Sequence, residues 1–351
     1  MKQPPESTDV NPWTVSEGPL ITVDYFYICA EVVVGILTIL INVVILLVIV
    51  RYQRLHTHTN VYIRNLTAAN IFVGLMIPPL AIITYLRLEM NLTSCLVVNS
   101  LINVFINISI MSLILLAVDT YFAVQHPFLY RRTLSKRRFL PVIIAVGWFV
   151  GACGGLVIPF AFQRDHANYR FCSYRRAIRL SYDVYIHGYG FILPALMAML
   201  VLHLRICCAF RAANQRLVDN TAHHPVATKN QVVTRVRRKE VHMVKSLAVM
   251  FLVMALCFLP LLIINFVHYY DPDRHAKTTS EMTLVAVVLS HMNSFVNPLL
   301  YAVSKAPIRS AVGVWIYSCF FTERWVTTSA SVCPIQNTRN EETSMELTET
   351  A

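Results

Sequence analysis

Seven stretches of this chain are each long and apolar enough to cross a membrane, and that repetition constrains the fold more than any single motif. A helix needs about 20 mostly apolar residues to span a hydrocarbon core. Residues 26–50, 61–86, 97–124, 139–162, 183–209, 244–270 and 282–303 meet that length. Short charged or proline-bearing segments separate them, so all seven are expected in one domain. The 351-residue chain is 56% hydrophobic and only 14% charged, which argues against a soluble enzyme core. The expected fold class is an all-α membrane protein, a seven-transmembrane helix bundle. No nucleophile–base set and no metal-ligand spacing stands out, so neither an enzyme nor a cofactor or metal is expected. A transporter would show inverted repeats or helix breaks near the midplane, and no internal repeat is visible.

Charge sets the expected orientation, because basic loops stay on the cytoplasmic side. Arg51 and Arg54 follow the first stretch, and Arg131, Arg132, Lys136, Arg137 and Arg138 follow the third. Arg205, Arg211, Arg216, Lys229, Arg235, Arg237, Arg238 and Lys239 surround the fifth connection. These three connections are expected inside, which puts the N-terminus outside and the C-terminus in the cytoplasm. The fourth connection, with Arg164, Arg170, Arg175, Arg176 and Arg179, is basic yet falls outside; its bias is smaller than that of the other three together. A net charge of +11 spread between apolar runs suits contact with anionic lipid rather than nucleic acid.

The ends read differently. Residues 1–25 are polar and lack the charged start and short apolar core of a signal peptide, so an extracellular tail is expected before a bundle spanning 26–304. Residues 305–321 open with Pro307 and carry Ile308, Val312, Trp315 and Ile316. They are expected to form a short amphipathic helix on the inner leaflet. Cys319 there is either a palmitoylation site or an unmodified thiol. Residues 322–351, rich in Ser, Thr and Glu, are expected to be a disordered cytoplasmic tail. Cys95 before the third stretch and Cys172 in the fourth connection both fall outside, where disulfides persist, and a bridge would tether that loop to the third helix. Cys29, Cys153, Cys207, Cys208 and Cys257 lie in or beside apolar runs and are expected to stay unpaired. Of three sequons, Asn65 and Asn107 lie within membrane stretches, and Asn91 is outside but close to the membrane.

The last stretch carries an unusual polar load in Leu289–Tyr301. Ser290, Ser294, Asn297 and Tyr301 fall four, three and four apart and share a helix face. Polar groups at that depth are costly unless they face protein or a wet cavity, so the stripe should point into the bundle.

With Cys95 and Cys172, Trp148, Pro194, C-F-L-P at Cys257–Pro260 and N-P-L-L-Y at Asn297–Tyr301, the chain resembles the rhodopsin-like (class A) G-protein-coupled receptors. The likeness covers nearly all of residues 26–320. Three segments look like the adenosine receptors: Lys239–Ala248, Ala255–Asn265 and Val287–Pro298. Glu31, eleven residues before Asn42, also matches.

The resemblance implies an extracellular small-molecule ligand, a heterotrimeric G protein as partner, and a plasma-membrane location. It implies that Asn265 pairs with a purine edge, that Tyr174 stacks on the base, and that Ser290 and His291 meet ribose. Glu31 would hold His291, and Leu261 would join the ligand-facing set. Several positions depart from the family pattern. Arg175 stands where a glutamate grips an amine, Leu262 where a histidine stands, and Phe258 where a tryptophan floors the site. Asn103 and Asn107 are polar additions on one face of the third helix, facing either ligand or neighbouring helices.

At the coupling end, Asp119–Thr120–Tyr121 lacks the family's arginine at Thr120, which would pair with Glu240 at rest. Pro298 and Tyr301 are present, but Leu202 and His203 stand where Tyr301 would find a partner tyrosine. Asn70 replaces the aspartate that would hold sodium with Ser109, Asn293 and Ser294, so that site is expected to be lost. The expected function is therefore a plasma-membrane receptor for a small polar, purine-like ligand. The alternative is a receptor-like protein with weak or atypical coupling that acts by binding a ligand or a partner.

Overall fold

The computed structural model describes residues 22–130, 132, 139–163, 171–220, 226–271 and 276–321. The polar tails, most of the third connection and Arg164 and Arg170 lie outside the described residues. So do the side chains of Arg175, Glu240 and Cys319.

The apolar stretches fold as helices. These are α1 (Thr22–Arg51), α2 (His58–Tyr85), α3 (Leu92–Gln125) and α4, which runs from Phe139–Ala152 through π-turned Cys153–Val157 to Ile158–Ala161. After them α5 starts as a π-helix at Tyr182–Ile192 and continues as Leu193–Asn220. Then come α6 (Val226–Tyr270), α7 (Ala276–Ser304) and α8 (Ala306–Phe321). Seven of these helices have the length and hydropathy to cross a membrane, within a few residues of the stretches read from sequence except at the start of α3.

Two helices begin ahead of their apolar stretches. Helix α3 begins at Leu92, not near 97, because Asn91 caps it by accepting from the Ser94 N–H at 2.8 Å. Cys95 therefore sits inside the first turn of α3 rather than ahead of it. Helix α6 begins 18 residues before 244, in a charged segment where a hydropathy reading sees no helix. Among the described residues, β-structure is confined to the isolated bridges Glu89–Phe171 and Gln163–Ile178. Compactness divides the chain into Met1–Val312 and Gly313–Ala351, a boundary inside α8.

The helices close a ring. Helix α1 packs on α2 and α7, α2 on α3, α3 on α4 and α5, α5 on α6, and α6 on α7. Glycines set the tightest approaches. A Cβ on Gly155 would lie 2.4 Å from the Val104 backbone nitrogen, so α3 and α4 meet where no side chain fits. Small residues serve this purpose in membranes, where association depends on close packing rather than on excluding water. The exposure pattern is that of a lipid-bathed bundle. Val142, Val146 and Phe149 of α4 lie outside, while Asn42, Asn70, Asn107, Asn293 and Asn297 are buried. One half-buried amide ties three helices: Asn65 of α2 donates to Ser112 Oγ of α3 at 2.7 Å and accepts from Trp148 Nε1 of α4 at 2.8 Å.

Candidate functional site

The chemistry lies at the two ends of the ring and along the stripe between them. At one end a disulfide joins Cys95 of α3 to Cys172, with Cα atoms 5.4 Å apart. Asn99, one turn on, donates to the Cys95 carbonyl at 2.8 Å, fixing the turn that carries the bridge. The bridge packs with Leu96, Ala177, Ile178 and Tyr182, and the ring of Tyr174 lies against this cluster. The five other cysteines whose side chains are described, Cys29, Cys153, Cys207, Cys208 and Cys257, are unbridged.

Tyr174 opens a short helix, Tyr174–Ala177, and its hydroxyl donates to Asp183 Oδ1 of α5 at 2.5 Å. Asp183, which is buried, was missed in the sequence reading. Its neighbour on the π-helical segment, His187, was missed too: His187 Nε2 lies 3.2 Å from Asn107 Oδ1. Asp183 and His187 are four residues apart and share a helix face, but that spacing alone does not say which element the face meets. Asn103 and Asn107 have different fates despite their shared face. Asn107 ties α3 to α5, whereas Asn103 buries an amide nitrogen without a protein partner.

Glu31 of α1, 1% exposed, meets His291 of α7. Nδ1 lies 3.0 Å from Oε1 and 2.9 Å from Oε2. A carboxylate only accepts, so Nδ1 carries the proton and Nε2 is left for another contact. Ser290 donates its hydroxyl to the Val287 carbonyl at 2.7 Å, leaving lone pairs to accept. Asn265 is buried on α6, the helix packed on α7. Phe258 is buried, Leu261 is half-buried, and Leu262 points toward Gly188 of α5.

The stripe faces inward as its spacing requires: Ser290, Ser294, Asn297 and Tyr301 are all buried. Asn297 donates to Asn293 Oδ1 at 2.8 Å, and Asn42 of α1 donates to the Ser294 carbonyl at 3.0 Å. Pro298 is within α7 and is buried, continuing the helix. Asn70, however, does not bond to the stripe; both its side-chain atoms, Ser109 Oγ and Tyr301 Oη lack protein partners. Orphaned atoms of this kind call for ordered water. They do not fit a cation, since amide and hydroxyl oxygens without a carboxylate supply no balancing charge.

At the other end, Asp119 of α3 gathers three donors that the sequence reading did not single out. His58 Nδ1 lies 3.0 Å from Oδ1, Tyr130 Oη 2.9 Å from Oδ1, and Thr59 Oγ1 2.9 Å from Oδ2. That carboxylate pushes the Tyr130 hydroxyl well above its ordinary value, adding to the larger effect of burial. Thr120 turns back on its own helix and donates to the Leu116 carbonyl at 2.8 Å. Tyr121 makes ring contacts with Phe122 and His126. No signal of period or spacing could have joined His58 to Asp119, which lie 61 residues apart.

Comparison with known proteins places this geometry in a lineage. The family described as "7 transmembrane receptor (rhodopsin family)" matches residues 41–301. The adenosine receptor A3 of Ovis aries is 31% identical over 284 residues, covering 79% of this chain and 84% of the relative. The adenosine receptor A2b of Homo sapiens is 30% identical over 306 residues, covering 82% and 89%. The A2b receptor of Canis lupus familiaris is 30% identical over 307 residues, covering 82% and 88%.

Proposed function

The chain belongs to the rhodopsin family of seven-transmembrane receptors, and we propose that it senses an extracellular small polar ligand of purine-like shape and relays the signal to a heterotrimeric G protein. It is a multi-pass plasma-membrane receptor and not an enzyme. In this reading the disulfide end and the N-terminus face outward, and Asp119 and α8 face the cytoplasm. Helix α8 lies on the inner leaflet; its exposed Val314, Ile316 and Tyr317 suit a lipid surface.

The observation that carries the ligand reading is the buried Glu31–His291 pair, which holds one imidazole nitrogen and presents the other. Ser290 adjoins it, and Asn265 supplies an amide able to donate and accept toward a purine edge. Arg175, a donor where the resemblance implies an acceptor, moves the preference away from adenosine itself. A binding screen of purines and related small polar molecules on receptor-bearing membranes tests this. A hit should lose tenfold or more in affinity with His291→Ala or Asn265→Ala, on the order of 1.5–3 kcal/mol for a charge-assisted hydrogen bond. Silence across the panel, or a hit indifferent to both substitutions, would overturn the ligand reading.

Weak or atypical coupling is the second reading, favoured by the Thr120 hydroxyl being spent on the Leu116 carbonyl. A short hydroxyl cannot do what a five-donor cation does. Thr120→Arg should then raise G-protein output; a robust output that this substitution leaves unchanged removes the idea.

The neutral centre also predicts indifference to sodium. Exchanging sodium for potassium at constant ionic strength should leave the thermal unfolding midpoint unchanged. Asn70→Asp, which supplies the missing carboxylate, should make that midpoint rise in sodium. A sodium-dependent midpoint in the unsubstituted receptor would contradict the assignment.

A further inference from the structure

Among the described residues, Asp119 is tied at once to α2 and to the turn that follows α3. Its side chain is 2% exposed. His58 Nδ1 lies 3.0 Å from Oδ1, and a carboxylate only accepts, so Nδ1 carries the proton of that bond. Tyr130, past the end of α3, donates its hydroxyl to the same oxygen at 2.9 Å, and Thr59 donates to Oδ2 at 2.9 Å. The imidazole is held edge-on to the rings of Tyr62 and Tyr130, with centroids 5.7 and 5.9 Å away. Its Nε2 is buried without a protein partner among the described residues, so the ring acts through Nδ1. The backbone beneath it is fixed as well. Thr57 caps α2 by accepting from the Asn60 N–H, and Asn60 Nδ2 donates to the Leu55 carbonyl at 2.8 Å. Tyr130 closes the turn Pro127–Leu129, its N–H bonded to the His126 carbonyl at 2.8 Å. That turn displays Phe128, 89% exposed, and Leu129, 49% exposed. Two adjoining exposed apolar side chains give a partner something to bury.

We propose that His58 is a positioning residue for coupling: through Asp119 it holds Tyr130, and so braces the Pro127–Leu129 turn against α2 and α3 in the posture in which a G protein meets it. His58 and Thr59 belong to α2, Asp119 to α3 and Tyr130 to the turn. A displacement of α6 therefore leaves the brace in place. It is a fixed support and not a resting latch, unlike the pairing with Glu240 that an arginine at Thr120 would make. Its consequence for coupling rests on the G-protein reading, whereas the brace itself rests on the geometry alone.

Hydrogen–deuterium exchange of the purified full-length receptor tests the brace, and G-protein nucleotide exchange driven by the same variants without ligand tests its role. His58→Phe keeps a ring and removes the donor, so the amides of segment 126–130 should exchange about fivefold faster, the effect of one hydrogen bond of ordinary strength. His58→Asn, whose amide nitrogen overlies Nδ1, should keep the unsubstituted rate. His58→Gln, whose amide overlies Nε2 instead, should match His58→Phe and serves in its place if that variant does not fold. Nucleotide exchange should fall severalfold with His58→Phe and return with His58→Asn. Amide exchange unmoved by Phe and Gln, or raised equally by Asn, would overturn the brace. Nucleotide exchange that rises with His58→Phe would mark a resting latch and overturn the assigned role, as would exchange that stays level. An unsubstituted receptor silent with every G-protein class counts against the relay reading, and the amide exchange then still decides the brace.

Discussion

Replacing Glu31 with alanine is expected to destabilise the receptor by about 3 kcal/mol, the upper end for leaving a buried donor without its acceptor. Glu31 is 1% exposed and sits within 3.0 Å of His291 through both carboxylate oxygens. Without it, Nδ1 loses both carboxylate oxygens, and α1 loses a tie to α7. Glu31→Gln should be milder, about 1–2 kcal/mol, because the amide oxygen still accepts from Nδ1–H. Thermal unfolding of the purified receptor separates the two: alanine should lower the midpoint by about 10 °C and glutamine by a few degrees. A midpoint unmoved by alanine would mean that the pair holds nothing together. Ligand affinity, measured on any hit from the purine screen, should follow the same order.

The second large effect is expected at the disulfide. The bridge spans 77 residues. Chain entropy assigns a loop of that size about 4.5 kcal/mol. The unfolded ensemble in a membrane keeps much of its helix, so the loop is less free than a random coil and the gain is smaller. We expect about 2–4 kcal/mol for Cys172→Ser, within the range seen when native bridges are removed. Surface display of an N-terminally tagged receptor should fall sharply, and the midpoint of the surviving protein should fall with it. Cys95→Ser should match Cys172→Ser, and the double substitution should be no worse than either, because all three remove one bond. Additive losses would show that the two sulfurs act separately.

How much of this was legible beforehand varies by residue. The spans were, because about 20 apolar residues in a row admit few alternatives and every backbone group must be paired within the bilayer. So was the inward face of Ser290, Ser294, Asn297 and Tyr301, since a 3.6-residue period fixes which side chains share a side. Asn103 and Asn107 show where that reasoning stops. Their spacing put both on one face, yet Asn107 bonds to His187 and Asn103 keeps an unpartnered nitrogen. The outcome turns on where the π-helical start of α5 brings His187, which no count along α3 contains. Helix α6 shows a different limit: its charged first turns are helical but carry no hydropathy signal.

The coupling end was the least legible. Thr120 announced a missing arginine, but the groups gathered on Asp119 are His58, Thr59 and Tyr130, which lie on either side of it between residue 58 and residue 130. The residue sequence by itself determined that seven helices cross a bilayer, which face of the last one is polar, and which family of receptors they resemble. Length, apolarity and period are local properties, and a chain states them directly. Which donor meets which acceptor was decided only in the tertiary structure. It depends on the rotation and depth at which the helices pack, and those are set by close contacts such as Gly155 against Val104 that no single segment encodes.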